Sequence, residues 1–358
     1  MKILVVFTGG TIGSAVQAEY ISPEEERPYK LLELYKKSIT CKEQIKKQEM
    51  VEFVTSRPYT LLSENLTGEY LGKLCQHLKE QSRKKYDGII VTHGTDTLQY
   101  TAAALGYVMN GISFPVIMVS SNYILEDDRA NGLDNFSYAV RFITQKLGKG
   151  VFVSYRNSDG RVYMHRGTRV LPHMPYQDDV YSVSNGYYGY FQSGKWIPGE
   201  QYGMDRNGRN HSQSVEDNEA ASGGKKRIDF GIIQSWDSKV LRIFPYPGMD
   251  YPGLHREKAV LLDTYHSGTL CSITPSLQSF MEEAYQKKIP VFLTGAYSKV
   301  EYESVKTWEK LHIHVLPKAS PVAMYMKLWL ILCSKDLLAE KGVEQWMDMC
   351  VSEDFISE

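Results

Sequence analysis

The sequence predicts an α/β protein with a larger N-terminal parallel-sheet domain and a smaller C-terminal α/β domain. Three observations predict it. Short apolar runs alternate with longer amphipathic stretches, the pattern of parallel strands joined by crossover helices. Two turns rich in glycine and threonine directly follow such runs, at the carboxyl ends of strands where open sheets bind ligands. One long polar segment interrupts the alternation, which then resumes more briefly.

The first run, Ile3 to Phe7, has the length of one buried strand. It leads into TGGTIG, where Gly9 and Gly10 admit backbone angles closed to other residues and so permit a sharp turn. As a dinucleotide fingerprint the turn is a near miss, with Thr8 in place of the first glycine and Gly10 and Gly13 in position. The residues that follow, SAVQAEYISPEEERP, have poor helix character and two prolines, where a dinucleotide fold requires a helix. A glycine turn that serves only packing is the plain alternative.

Further along, LGKLCQHLKEQSRKK, LQYTAAALGYVM and the stretch ending FSYAVRFITQKL read as helices, and GIIVTHG, PVIMVSS and GVFVSY as strands. Residues 205–226 contain only Val215 and two alanines as apolar residues and read as a linker. After them FGIIQSW, VLRIFPYPG, AVLLDTYHSG, PVFLTGAYS and HIHVLPKASP restore the alternation. The expected division is a domain over 1–204, a polar linker over 205–226 and a second domain over 227–358.

Charge excludes several classes of function. With 41 basic and 42 acidic residues and a sequence pI near 6.8, neither a nucleic-acid nor an anionic-membrane partner is expected, and the substrate is expected to be small. Five widely spaced cysteines without a C-x-x-C pair disfavour a disulfide framework and a zinc site, which points to a reducing, cytoplasmic setting. The first apolar run is too short for a signal-peptide core. MYMKLWLILC, interrupted by Lys327, reads as a core helix rather than a membrane span. HIH at His312 to His314 has no neighbouring ligand set in sequence, so no metal and no cofactor are expected.

The second turn carries the chemistry. Ile89 to Val91 leads into Thr92, His93, Gly94, Thr95, Asp96 and Thr97, and a helix is expected from about Thr97 or Leu98. Unpaired N–H groups at such a helix start hold a carboxylate or a developing oxyanion. A threonine hydroxyl is a poor nucleophile until a neighbour accepts its proton, so Thr11 or Thr95 needs a basic partner. The alternative for THGTDT is a helix cap, with Asp96 or Thr97 holding the first helical turn.

TGGTIG followed about eighty residues later by THGTDT resembles the paired signature of the bacterial-type L-asparaginase and glutaminase family, which includes the amidotransferase subunit that frees ammonia from glutamine. The likeness extends through Tyr20, LLSENLT, PVIMVSS, MHRGTRV, SVSNGYYGYFQSGKW and TYHSGTL. It implies an asparaginase-like two-domain fold and hydrolysis of the side-chain amide of asparagine or a related small amide to acid and ammonia. The resemblance assigns Thr11 as nucleophile, Tyr20 on a lid as its partner, and Thr95 with Asp96 as a second pair. It places Ser63, Glu64 and Asp96 on the α-carboxylate and α-amino ends of the substrate. Main-chain N–H groups at the two threonine turns, around Gly10 and Gly94, would hold the oxyanion. A homodimer or homotetramer is implied. Ser63 as a simple helix cap, and Tyr20 as an ordinary surface tyrosine, are the plain alternatives.

One position departs from the family pattern. A lysine that completes a triad with the second threonine and its aspartate is expected three residues after Arg166-Gly167-Thr168-Arg169, and that position is Pro172. Proline has no ionisable nitrogen. His165 and His173 are the candidate substitutes nearby in sequence. Ser120-Ser121-Asn122-Tyr123 also departs, standing where relatives more often show a small and a charged residue. Two functions are therefore expected to compete: an amidohydrolase, and a catalytically impaired amino-acid-binding or regulatory protein.

Overall fold

The structure, a computed structural model, describes residues 1–17, 20–23, 27–41, 51–202, 228–230, 233, 235–237, 239–296 and 303–356. The expected linker at 205–226 lies outside the described residues, as do Gly231, Ile232 and Gln234 of FGIIQSW. The chain divides into two compact units, Met1–Ile228 and Asp229–Glu358.

In the first unit β1 (Lys2–Phe7) is followed by a short hairpin, β2 (Ser14–Gln17) and β3 (Tyr20–Pro23), and by α1 (Arg27–Cys41). Then come β4 (Glu52–Ser56), α2 (Gly68–Gln81), β5 (Gly88–Thr92), α3 (Leu98–Val108), β6 (Pro115–Val119), α4 (Gly132–Thr144) and β7 (Gly150–Arg156). The strands run parallel in the order β4-β1-β5-β6-β7, and every residue of β5 and β6 is buried. Strands buried on both faces carry continuous apolar runs, which is why these were legible as strands. On one face α4 sets Phe136, Val140, Phe142 and Ile143 against Ile90, Ile117, Val119 and Phe152. The alanine-rich α3 is buried along almost its whole length.

Beyond β7 the sheet turns antiparallel through β8 (Val162–Arg166), β9 (Gly189–Gln192) and β10 (Lys195–Pro198). The expected parallel sheet is thus extended at one edge by three antiparallel strands. Short connections explain the change, since a hairpin reverses direction in a few residues whereas a parallel return needs a crossover. β4, with the polar sequence EFVTS, pairs with β1 at the sheet edge and is only half-buried.

The second unit is a four-stranded parallel sheet of β11 (Val240–Ile243), β12 (Ala259–Leu262), β13 (Val291–Leu293) and β14 (His314–Val315). Its helices are α5 (Pro275–Gln286), α6 (Glu303–Lys310), α7 (Pro321–Cys333), α8 (Lys335–Glu340) and α9 (Val343–Met347). MYMKLWLILC lies in α7, and the charge that interrupts it is fully buried: Lys327 Nζ meets Asp354 Oδ2 at 3.0 Å and Met347 O at 3.2 Å. A buried ammonium is tolerated only with such partners. His314 also finds a carboxylate, Asp348 Oδ1 at 2.8 Å, that its local sequence did not announce. Among the described residues no helix is long and apolar enough to cross a membrane, and no group of three or more His, Cys, Asp or Glu could hold a metal ion.

Candidate active site

The two threonine turns leave the carboxyl ends of neighbouring strands, because β1 lies directly beside β5 with Phe7 paired to Thr92. Thr8 fastens the strand ends together: its Oγ1 donates to Thr92 O at 2.6 Å. Thr8 is 3% exposed, so of the two threonines flanking the glycine pair it is the structural one, whereas Thr11 is half-buried.

Gly9 and Gly10 have φ of +107° and +78°. A Cβ on Gly10 would stand 2.3 Å from Gly94 N, so the main chains of the two turns touch and no larger residue fits between them. Thr11 and Thr95 each follow immediately on that contact. The Gly10 N–H is already committed to Leu61 O at 3.0 Å, so Gly10 contributes close approach rather than a free donor. After it Thr11–Gly13 form one 3-10 turn and the chain enters the β2–β3 hairpin. A dinucleotide site needs a helix there, so that reading fails on topology.

A third segment completes the group. Ser63 Oγ donates to Asp96 Oδ2 at 3.1 Å, and Thr97 Oγ1 donates to Ser63 O at 2.9 Å. A Cβ on Gly94 would meet Ser63 Oγ at 2.4 Å. The capping alternatives therefore lose: α3 has no side-chain cap, and the Asp96 and Thr97 side chains turn to Ser63 instead. Ser63 opens its own 3-10 turn, five residues before α2, and does not cap that helix. Glu64 is exposed beside it. Tyr20 begins β3 opposite Gln17, and its side chain lies outside the described residues.

His93, to which the sequence alone assigned no role, holds the second turn from inside. It is 2% exposed, with Nδ1 2.8 Å from Gly94 O and Nε2 3.0 Å from Thr101 Oγ1. A carbonyl only accepts, so Nδ1 carries the proton and Nε2 accepts from the threonine hydroxyl. Burial pushes its pKa down to about 4, and the ring is neutral at neutral pH. The signal was present in sequence as a histidine between threonine and glycine at a strand end, with Thr101 one helical turn into α3.

The two histidines near Pro172 in sequence engage other groups. His165 lies on β8, three strand positions from β5, or roughly 14 Å at ordinary strand spacing. Its Nδ1 is 2.9 Å from Ser182 Oγ, and burial pushes its pKa down to about 3. His173 stacks edge-on to Tyr155 with ring centroids 5.5 Å apart. Pro172 is exposed, just past the point where Val170 and Leu171 pair with Ser182 and Tyr181.

Comparison with known proteins places the chain in a family. The family model described as the asparaginase N-terminal domain matches residues 2–195, and the chain belongs to the asparaginase family. Among curated relatives, a Glutamyl-tRNA(Gln) amidotransferase subunit of Thermococcus kodakarensis is 26% identical over 51% of this chain and 40% of its own length. The corresponding amidotransferase subunit of Saccharolobus solfataricus is 29% identical over 51% of this chain and 40% of its own. The chain thus spans less than half the length of these relatives. Two solved structures cover essentially the whole chain. The thermostable L-asparaginase of Thermococcus kodakarensis has a TM-score of 0.73 at 21% identity, covering 100% of both chains. L-asparaginase I of Vibrio cholerae has a TM-score of 0.73 at 18% identity, covering 99% of both. The two-unit α/β architecture is therefore the asparaginase-like fold.

Proposed function

We propose that the protein is an amidohydrolase that converts the side-chain amide of asparagine, or of a related small amide, to the acid and ammonia. The observation that carries this reading is the main-chain contact of Gly10 with Gly94, the residues that immediately precede Thr11 and Thr95, with Ser63 bonded to Asp96. Thr11 Oγ attacks the amide carbon, and the oxyanion rests on main-chain N–H groups at the start of α3. The C–N bond then breaks, the nitrogen takes the proton from Thr11, and ammonia leaves an ester on Thr11. Water cleaves the ester to release the acid and restore the hydroxyl. Asp96, Ser63 and Glu64 hold the amino-acid end of the substrate, and Tyr20 assists Thr11 from the hairpin.

The site belongs to the domain over 1–204, with 227–358 as the second domain and 205–226 between them. The active form is a homodimer or homotetramer acting in the cytoplasm on a free small molecule, without a nucleic-acid or membrane partner and without a cofactor.

A second reading is favoured by Pro172. Without the lysine, the binding groups remain and the proton acceptor for Thr95 is missing, which makes an amino-acid-binding or regulatory protein with little turnover. Loss of a general base costs about two to four orders of magnitude in rate. Ammonia release from a panel of short amides, measured beside calorimetric binding of aspartate, separates the two. The amidohydrolase releases ammonia as the wild type. The impaired protein binds aspartate without release, and Pro172→Lys raises its release by about tenfold or more at unchanged affinity.

A further inference from the structure

The antiparallel half of the first unit holds a cavity of about 550 Å³, within the range of small-molecule sites. It is lined by three carboxylates, Asp159, Asp179 and Glu200, and three tyrosines, Tyr163, Tyr181 and Tyr187. Among the described residues no lysine or arginine lines it. None of the residues of the threonine turns contributes to it.

The carboxylates and rings are held in place. Tyr163 OH donates to Asp159 Oδ2 at 2.8 Å, and Tyr181 OH donates to Asp179 Oδ2 at 3.1 Å. Ser158 supplies both its N–H and its hydroxyl to Asp179, at 2.7 and 2.8 Å. The Tyr163 and Tyr187 rings stand edge to face with centroids 5.0 Å apart, and Tyr190 adjoins both. The fold already seats one cation of its own on this cluster: the Arg161 guanidinium lies 4.9 Å from the Tyr190 ring centroid, beside Asp159.

His165 also lines the cavity and is 1% exposed. Its Nδ1 engages Ser182 Oγ, a second lining group, and its Nε2 has no hydrogen-bond partner. Burial keeps the ring neutral near pH 7, so it adds no charge to repel a cation.

Three features define the ligand. The lining is acidic, and two arginines that reach its lining residues are already engaged, Arg161 with Asp159 and Tyr163 and Arg169 with Gln201, which disfavours a ligand that brings its own carboxylate. Asp159, Asp179 and Glu200 do not form a group that could hold a metal ion, and carboxylates spread along the lining match positive charges spread along an extended molecule. The tyrosine rings between the carboxylates suit methylene groups and ammonium ions together. We infer that the cavity binds an aliphatic diamine or polyamine, at a site separate from the threonine turns.

Calorimetric titration of the full chain with putrescine and with spermidine at low ionic strength tests this, because screening weakens such contacts. The expected result is saturable one-to-one binding, tighter for spermidine. Glu200→Gln and Asp179→Asn are each expected to weaken it by about tenfold, the scale of one charged contact. Thermal unfolding of each variant checks its fold. Glu200 is exposed, so Glu200→Gln decides if Asp179→Asn fails to fold. The inference is overturned by an absence of saturable binding at millimolar amine, or by unchanged affinity in Glu200→Gln. It is equally overturned if magnesium chloride at matched ionic strength displaces spermidine as well as putrescine does, the mark of unspecific charge attraction.

Discussion

The threonine turns and the tyrosine-lined cavity lie along the same sheet of the first unit and are built by opposite means. In the parallel half, the site is main chain against main chain, with Gly10 on Gly94 and short hydroxyl side chains filling the remaining space. In the antiparallel half, large rings and carboxylates from residues 159 to 200 make the walls. Close main-chain approach gives fixed donors and little room, which suits a small amide. A side-chain cage gives charge and volume, which suits a larger cation.

One pair of substitutions sharpens this contrast most. Gly10 and Gly160 have nearly the same φ, +78° and +77°, but a Cβ on Gly10 meets Gly94 N at 2.3 Å whereas one on Gly160 meets nothing within 4 Å. Gly160→Ala is expected to cost about 1 kcal/mol, the left-handed backbone alone. Gly10→Ala is expected to cost about 3 kcal/mol or more, because the two turns must part. Urea unfolding midpoints measure both. Equal losses would mean that the turns are not in contact.

Acid sensitivity compares the halves next. Among the described residues each holds a buried neutral histidine, His93 with pKa about 4 and His165 with pKa about 3. Both lie below the unfolded value near 6.5, so the unfolded chain binds the extra protons and stability falls as pH drops below about 6.5 toward those values. His93 alone accounts for up to about 3 kcal/mol of this loss. His93→Gln is expected to flatten the dependence of stability on pH between about 6.5 and 4. A wild-type protein equally stable at pH 7 and pH 4.5 would contradict the burial of both rings.

Smaller effects probe the hydrogen bonds around Ser63. Ser63→Ala removes the donor to Asp96 and is expected to weaken aspartate binding about tenfold, or about 1.4 kcal/mol. Thr97→Val removes the bond to Ser63 O and is expected to cost about 1 kcal/mol of stability, with little effect on affinity. The reverse order in binding would place the specificity on Thr97.

The same contrast explains what could be read in the chain. Buried parallel strands are continuous apolar runs, and turns built on glycine leave a motif, so β1, β5, β6 and the Gly10, Thr11, Gly94 and Asp96 positions were visible in order. Ser63 was visible only through the family resemblance. β4 was not visible, because EFVTS is a half-buried edge strand without an apolar run. The antiparallel strands and the cavity were hidden for a related reason. Their tyrosines and carboxylates are ordinary surface residues one by one and become a wall only when Asp159, Tyr187 and Glu200 are brought together by pairing over long separations. The Lys327–Asp354 pair was hidden likewise, since nothing local marks Asp354 as the partner of a buried lysine.

The central claim, that the touching turns form an amide-cleaving site around Thr11, is tested most directly by ammonia release from asparagine in wild type and in Thr11→Val. The variant keeps the shape of the side chain and removes the hydroxyl. The account predicts release by the wild type and a fall of at least about a hundredfold in Thr11→Val, with aspartate still bound. Release that persists within a few-fold in Thr11→Val, or no release by the wild type from any short amide, would contradict it.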